Sequence, residues 1–307
     1  MFRRYLGGLL ASALIAGAPA LAVAQDQDED EGLSFEADAL FVFQGETDLQ
    51  NNSGKFSANR AFASVGAEMP LGERASVEFE AGFGGTDYDF SGVSGFPLAN
   101  ELGWVRENEI SLRFSFSASD RLEFFLEPGM SLSGESGADS GDSTTSEILG
   151  GFTWQFSPRL ILGPGVGFFE NLEGDDDIIP ILLVDWQIND SLSLSTARGL
   201  AASRGPGLAL NWQANEVWRF GFQGRFEDVQ FRLDNNHGTA SGGVAEEAYT
   251  PLVATASWQP NERMEVMGFA GLATGGEFTL FDSNGKELSK RTYDDATLFG
   301  LVATLRF

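Results

Sequence analysis

The sequence lacks the residues that build disulfide frameworks and most transition-metal sites. Its 307 residues include no cysteine and one histidine, His237. Disulfide scaffolds, thiolate metal sites and histidine-rich metal centres are therefore excluded. Beyond the N-terminal segment, no apolar run approaches the roughly 20 residues that a transmembrane helix needs. These absences leave helical membrane proteins and disulfide-built small domains out of consideration.

Positive charge is also scarce. The chain has 19 Lys and Arg against 45 Asp and Glu, for a formal net charge of −26. A surface so acidic repels the phosphate backbone, so nucleic acid is excluded as a partner.

The first 24 residues have the features of a cleaved signal peptide. Arg3 and Arg4 give a positive start, residues 6–18 are apolar, and Ala22 and Ala24 are small residues that signal peptidase accepts. We predict cleavage after Ala24, which removes two arginines and takes the net charge from −26 to −28. An acidic segment, residues 25–32, follows, and the rest of the chain, residues 33–307, is predicted to form one domain.

That domain alternates apolar and polar residues with a period of two, which is typical of β-strands with two different faces. In residues 33–43, for example, Phe35, Ala37, Phe41 and Phe43 share one phase and Glu36 and Asp38 the other. The chain also holds 38 Gly and 27 Phe at a mean hydropathy of only −0.10. This combination favours strands that face lipid on one side and a lumen on the other.

Connections between these strands alternate in length. Short links are predicted at residues 70–74, 118–121, 157–159, 189–191, 215–216 and 260–263. Longer polar stretches lie between them, at residues 44–59, 84–105, 133–146, 170–177, 199–206, 234–247 and 275–295. Short turns on one side and long loops on the other are the pattern of outer-membrane barrels. We predict an all-β, transmembrane, antiparallel up-and-down β-barrel of about 14 strands with both termini periplasmic; 12 strands is the alternative count.

A Trp-Gln repeat precedes four of the short links. Because indole rings favour the membrane–water interface, we predict a periplasmic aromatic girdle. Its predicted members are Trp154, Trp186, Trp212, Trp218 and Trp258.

The final strand is amphipathic and ends on an aromatic residue. Its outward phase is predicted to contain Phe299, Leu301, Leu305 and Phe307. A last strand of this form resembles the recognition signal of the barrel assembly machinery, which we predict as a partner during biogenesis.

From about residue 207 onward, the chain carries several short motifs that resemble those of a known family. They are Trp218-Arg219-Phe220-Gly221, Phe231-Arg232-Leu233-Asp234, Gly276-Glu277, Asp282-Ser283-Asn284-Gly285, Tyr293-Asp294-Asp295-Ala296 and Leu305-Arg306-Phe307. They resemble a family of uncharacterised Gram-negative outer-membrane barrels defined by a domain of unknown function. The resemblance implies a fold and a location and transfers no catalytic residue.

The charged residues in the phase opposite the lipid are predicted to face the lumen, where charges pair or line a water path. They are Glu36, Asp38, Glu68, Glu78, Glu80, Glu109, Arg113, Glu123, Glu127, Asp185, Arg219, Arg225, Glu227 and Glu265. We predict a passive diffusion channel for small solutes with an acidic, cation-preferring lumen. The alternative is a non-conducting structural or surface-interaction barrel with a salt-bridged, filled lumen. A third possible class is a soluble periplasmic β-protein.

Catalytic and metal sites have weak candidates. The only residue available as a histidine base, His237, lies in a predicted exposed turn, so no catalytic residue and no enzyme activity are predicted. Asp175, Asp176 and Asp177 are the best cation ligands but lack the spacing of a binding loop, and a solvated acidic loop is the preferred interpretation. No cofactor is predicted, and the remaining partners are outer-membrane lipids and lipopolysaccharide.

Overall fold

A computed structural model describes residues 32–51, 54–92, 102–196, 207–236 and 240–307. The predicted signal peptide, residues 1–24, lies outside the described residues, as do His237 and all of the acidic segment except Gly32. In the described part of the chain, no helix is long and apolar enough to cross a membrane.

The described residues form sixteen strand segments joined in one sheet. The segments are β1 (Ser34–Asp48), β2 (Lys55–Pro70), β3 (Ala75–Ser91), β4 (Val105–Ser119), β5 (Leu122–Glu135), β6 (Thr144–Ser157), β7 (Leu160–Phe169), β8 (Asp177–Gln187), β9 (Leu192–Thr196), β10 (Gly207–Gln213), β11 (Trp218–Arg225), β12 (Glu227–Arg232), β13 (Val244–Asn261), β14 (Met264–Phe281), β15 (Glu287–Thr292) and β16 (Ala296–Arg306).

The sheet closes on itself as an antiparallel barrel, because β1 pairs with β2 on one side and with β16 on the other. Both β11 and β12 pair with β13, and both β15 and β16 pair with β14, so each of these pairs makes one wall strand. The wall therefore has fourteen strands. The predicted all-β barrel is confirmed, and the count is fourteen rather than twelve.

The two ends of the barrel differ in their connections. Six short turns, together with the start of β1 and the end of β16, share one end, which we call the turn end. Phe35 and Phe307 exchange backbone hydrogen bonds there, at 3.2 and 2.9 Å. The longer connections share the opposite end, which we call the loop end.

Alternation along the strands separates an outward apolar face from an inward, mostly polar one. Large side chains such as Phe41, Leu182 and Phe222 point outward and are 60%, 64% and 56% exposed. Similar residues recur around the wall, so the outer surface carries an apolar belt. A belt of this extent is stable when lipid covers it and costly in water, which is the surface of a transmembrane barrel rather than of a soluble β-protein.

Several strands are longer than their alternation predicts. Much of residues 44–59 and 275–295, predicted as loops, continues the ladders of β1 with β2 and of β14 with β15. The polarity of the two faces is reversed in these extensions: Lys55 and Ser57 lie in the outward phase, whereas Phe56 and Phe278 point inward and are buried, so the pattern of a lipid-facing strand ends there. The backbone hydrogen bonds nevertheless continue, because ladder pairing does not depend on side-chain polarity.

The sheet also closes a second time at the loop end. After Phe226, β12 leaves the neighbourhood of β10 and reaches β5, where Arg232 pairs in parallel with Gly134. The ring at the loop end therefore runs through β12, β13, β14, β15, β1, β2, β3, β4 and β5, and β6–β10 lie outside it. The barrel is consequently narrower at the loop end than at the turn end.

An apolar cluster fills the space between β12 and the strands that this second ring omits. Ile179, Ile181 and Leu183 of β8 point inward and are buried, while Ile178 and Leu182 of the same strand are exposed to the outside. The cluster consists of Phe125, Leu149, Phe169, Ile179, Ile181 and Leu183, with Phe226 packed against it. This explains why β8 is apolar in both phases: one face meets lipid and the other meets packed side chains.

Candidate functional site

The lumen of the loop half is packed with apolar side chains, which we call the plug. Aromatic rings from strands that are not neighbours in the narrow ring meet across it: Tyr88 and Phe231 at 5.6 Å between ring centroids, and Phe56 and Phe278 at 4.9 Å. The plug consists of Leu49, Phe56, Ala58, Tyr88, Val105, Phe231, Leu233, Ala240, Ala245, Tyr249, Ala273, Phe278, Leu280, Tyr293 and Ala296. Because these contacts span the ring, the plug occupies the lumen of the loop half.

A buried charge lies among these aromatic rings. Glu247, which is 0% exposed, accepts hydrogen bonds from Arg60 at 2.7 Å, from Tyr88 at 2.7 Å and from Tyr293 at 2.9 Å. Arg60 also donates to Gln44 at 2.8 Å. Buried ions are tolerated when they are paired and hydrogen-bonded in this way, so the network fixes the plug in one arrangement.

One side chain ties β12 to the loops around it. Arg232 donates to Glu173 at 2.7 Å, to the carbonyl oxygen of Leu172 at 3.0 Å and to that of Asp142 at 2.8 Å. These partners belong to the β5–β6 and β7–β8 connections. Arg232 is therefore a polar anchor of β12 in its position across the loop end.

The turn half, in contrast, contains a cavity of about 770 Å³, which we call the vestibule. It reaches the β8–β9 turn through Asp190 and Ser191. Among the described residues, two arginines, Arg219 and Arg306, line it. Its carboxylates are Glu36, Asp38, Glu78, Glu80, Glu107, Glu109, Asp185, Asp190 and Glu265.

Both vestibule arginines are paired. Arg306 donates to Glu36 at 2.7 Å, and Arg219 forms an ion pair with Glu265. Among the described lining residues, carboxylates outnumber guanidinium groups nine to two. Asp190 also pairs with Arg159, which lies outside the lining, and negative charge remains in excess after these three pairs are formed. Charge of one sign in a cleft with low-dielectric walls concentrates ions of the opposite sign.

The vestibule also has an apolar side. Leu40, Phe62, Met267 and Val302 line it from β1, β2, β14 and β16. Phe62, Met267 and Val302 are only partly buried and pack against the buried Leu40 and its neighbours. The cavity is thus acidic but not uniformly polar.

The strand register places all fourteen lumen-charge candidates in the inward phase, but they do not form one site. Eight of them line the vestibule: Glu36, Asp38, Glu78, Glu80, Glu109, Asp185, Arg219 and Glu265. Four form ion pairs, Arg113 with Glu127 at 3.5 Å and Arg225 with Glu227. The other two, Glu68 and Glu123, do not belong to the vestibule lining.

The five candidate girdle tryptophans lie on the outer surface near the turn end. They are 39–52% exposed, and Trp218 pairs directly with Trp258 across β11 and β13. The residues of the predicted assembly signal also point outward from β16, with Phe307 72% exposed. Their roles at a periplasmic interface and in assembly remain predictions.

The aspartates proposed as weak metal ligands do not converge. Asp177 accepts a hydrogen bond from Asn171 at 2.9 Å, and Asn171 also donates to the backbone oxygen of Asp175 at 2.8 Å. Among the described residues, no group of three or more acidic or histidine side chains is arranged to hold a metal ion. The catalytic candidate His237 lies outside the described residues.

Two important residues were missing from the sequence-based site. Glu247 ended the predicted loop 234–247 and Glu107 lay two residues beyond the predicted loop 84–105, and neither was assigned to the lumen. Each lies in the inward phase of a strand that continues beyond the lipid-facing alternation, Glu107 in β4 and Glu247 in β13. Both residues are acidic and lie in segments that could form strands, and this was the available signal. Periodicity alone could not distinguish such a segment from a solvated loop.

The closed fourteen-stranded wall, the outward apolar belt and the polar lumen define the chain as a β-barrel of the outer-membrane class. No family model matches the chain, and no curated relative matches its sequence. The predicted resemblance to an uncharacterised barrel family therefore stays an expectation.

Solved outer-membrane proteins are similar to the chain in structure, at low sequence identity and with TM-scores below 0.5. A FadL homologue from Pseudomonas aeruginosa is 12% identical, with a TM-score of 0.44 and 89% of each chain covered. An outer membrane channel from Pseudomonas putida F1 is 12% identical, with a TM-score of 0.46 and coverage of 92% of this chain and 100% of that chain. The Pseudomonas putida toluene transporter TodX is 12% identical, with a TM-score of 0.42 and coverage of 91% and 90%. At these identities the likeness concerns the fold alone.

Proposed function

We propose that the chain is an outer-membrane channel with a cation-preferring vestibule, closed at its extracellular end by the plug. The observation that carries the proposal is the lining of the 770 Å³ cavity, where the described residues place nine carboxylates and two arginines inside a lipid-facing wall. Rings of carboxylates select cations because they lower the energy of positive charge in a narrow pore.

The proposed orientation places the turn end in the periplasm. Short turns on the periplasmic side and long loops outside are general for this class, and tryptophans at the turn end suit a membrane–water interface. In this orientation the vestibule opens toward the periplasm, and lipopolysaccharide surrounds the wall near the loop end. Recognition of β16 by the assembly machinery is part of the same proposal.

Conduction requires the plug to open. We assign this movement to β12, because β12 leaves the neighbourhood of β10 and joins β5 by a single ladder pair. Its position depends on Arg232, which contacts two separate connections. Releasing this anchor should increase the time that the channel spends open.

The test is single-channel recording of the full mature chain in planar bilayers, with Arg232→Gln beside the wild type. We expect rare wild-type openings with a reversal potential on the cation-selective side, and at least several-fold higher open probability in the variant. Lys55→Gln is the matched control, since Lys55 is an exposed loop-end cation bound to Glu46 at 2.8 Å. Anion selectivity of the open state would refute the proposal.

A second candidate function, a non-conducting barrel that presents its loops to partners, is favoured by the packing of the plug. Glu247 and its three donors make the loop half resemble a protein core. Absence of openings in both the wild type and Arg232→Gln, with correctly folded protein, would support this function instead.

A further inference from the structure

We propose that the vestibule binds an organic cation that carries an apolar body, rather than a bare inorganic ion. This inference rests on the proposed acidic vestibule and adds the chemical class of its ligand. It stands on the arrangement of two rows of side chains that cross the same four strands of the cavity wall.

The first row is apolar. Phe62 pairs with Leu40, Leu40 pairs with Val302, and Val302 pairs with Met267, so the four side chains form a continuous band across β2, β1, β16 and β14. All four line the vestibule. An apolar band inside an acidic, water-accessible cavity offers nothing to a hydrated metal ion but gives an apolar group a surface to cover.

The second row is polar and acidic, and it lies two residues nearer the turn end on each strand. It reads Ser64, Asp38, Thr304 and Glu265 in the same strand order. Two residues along a strand correspond to about 6.6 Å, so one small molecule can contact both rows at the same time. The two rows therefore match the two parts of an amphiphilic cation.

Glu109 extends the acidic row around the wall. Ser64 pairs with Gly82, and Gly82 pairs with Glu109. The carboxylate of Glu109 lies over Gly82, since a Cβ atom built on Gly82 would come within 2.6 Å of Glu109 Oε1. The missing side chain at Gly82 thus lets the Glu109 carboxylate lie over β3, in line with the acidic row.

Size and aromatic content fit the same class of ligand. A cavity of about 770 Å³ falls within the range of roughly 300–1,000 Å³ that is usual for small-molecule sites. Phe62 adds a ring, and the face of an aromatic ring attracts a quaternary ammonium group. Opposite Phe62, the β8–β11 side of the cavity is formed largely by small polar residues such as Ser193, Ser195 and Asn211, which leave room for the ligand.

The experiment measures binding to the folded full chain in a non-ionic detergent by titration calorimetry. The probe is benzyltrimethylammonium, and the comparison probes are tetramethylammonium, which lacks the apolar body, and the neutral carbon analogue neopentylbenzene. We expect saturable binding of one benzyltrimethylammonium per chain and at least about tenfold weaker binding of either comparison probe, because each lacks one of the two contacts.

Variants separate the two rows. Glu109→Gln removes one charge without changing the shape of the side chain and should weaken binding about tenfold, whereas Phe62→Leu keeps an apolar residue, loses the ring and should weaken it about threefold. Glu68→Gln is the matched control, because Glu68 is an exposed carboxylate outside the vestibule lining. That variant should bind like the wild type.

The outcomes distinguish this inference from the channel proposal. Binding of benzyltrimethylammonium without any conductance would support the inference and refute the channel. A cation-selective channel that binds the neutral analogue or tetramethylammonium equally well, or binds none of the probes, would overturn the inference and leave the channel proposal intact. Equal loss of binding in Glu68→Gln and Glu109→Gln would also overturn it.

Discussion

In the loop half of the barrel, aromatic rings pack around the buried Glu247, whereas in the turn half the same wall surrounds a 770 Å³ cavity lined by nine carboxylates. Strands β13 and β14, with 18 residues each, run through both halves. The difference therefore does not come from the wall strands themselves. It comes from β12, which crosses to β5 after Phe226 and closes a narrower ring that side chains can fill.

The comparison shows how one barrel accommodates inward-facing acid in two ways. In the narrow ring, water is excluded, and Glu247 is stable because Arg60 and two tyrosine hydroxyl groups replace its hydration. In the wide ring, most inward carboxylates line the cavity. Fewer of them therefore need an arginine as a partner. The width of the ring therefore decides whether a carboxylate in the lumen must be hydrogen-bonded to protein side chains.

The largest expected effect comes from breaking the buried network. Glu247→Leu leaves Arg60 buried without its carboxylate and should lower the free energy of unfolding by about 3–5 kcal/mol. Denaturant unfolding in detergent micelles measures this change. In the control, Glu46→Leu breaks the exposed pair with Lys55 and should cost no more than about 1 kcal/mol. Equal losses would contradict the contrast between the two halves.

A smaller effect is expected at the outer rim of the turn half. Trp258→Ala removes a ring that pairs across the ladder with Trp218, and we expect a loss of roughly 1–2 kcal/mol in stability. Trp104→Ala at the loop end, where the ring is exposed to a similar degree, is the matched variant. If the turn end is the membrane interface, Trp258→Ala should reduce stability more in lipid vesicles than Trp104→Ala does.

The charge of the vestibule can be tested without disturbing the plug. The double variant Glu78→Gln and Glu80→Gln removes two of the nine carboxylates and should shift the reversal potential under a salt gradient toward zero, by a few millivolts to about ten. The same two substitutions should leave the unfolding transition nearly unchanged. A reversal potential identical to that of the wild type would show that the vestibule does not set selectivity.

The smallest expected effect concerns pH at the loop end. Hydrogen bonds from the Ser146 hydroxyl and backbone N–H, at 2.6 and 2.9 Å, lower the pKa of Glu170 below its usual value. Because the folded-state pKa is lowered, the stabilisation is complete above the unfolded pKa and disappears as the pH falls through the folded value. The wild type should therefore lose stability as the pH falls, and Glu170→Gln should not show this part of the loss. A comparison of unfolding curves between pH 3 and pH 6 would detect the difference.

Periodicity predicted the wall well because lipid and lumen impose opposite chemistry on alternate residues. In β1, the alternation predicts that Phe41 and Glu36 lie on opposite faces. The pairing of β1 with both of its neighbouring strands agrees with this prediction. The same logic placed all the lumen-charge candidates inward. It failed where strands rise beyond the lipid, as at Glu107 and Glu247, because both faces there are polar or packed and the alternation carries no information.

The sequence by itself determined the barrel and the direction of its faces and narrowed the number of wall strands to fourteen or twelve, since each follows from local alternation and composition. Only the tertiary structure decided that β12 meets β5, that Arg232 holds it there and that Phe62, Leu40, Val302 and Met267 form one row. These contacts join residues far apart in the chain, and their position depends on how the closed sheet narrows. No local pattern encodes that closure, so the split into a filled half and an open half appears only in the folded barrel.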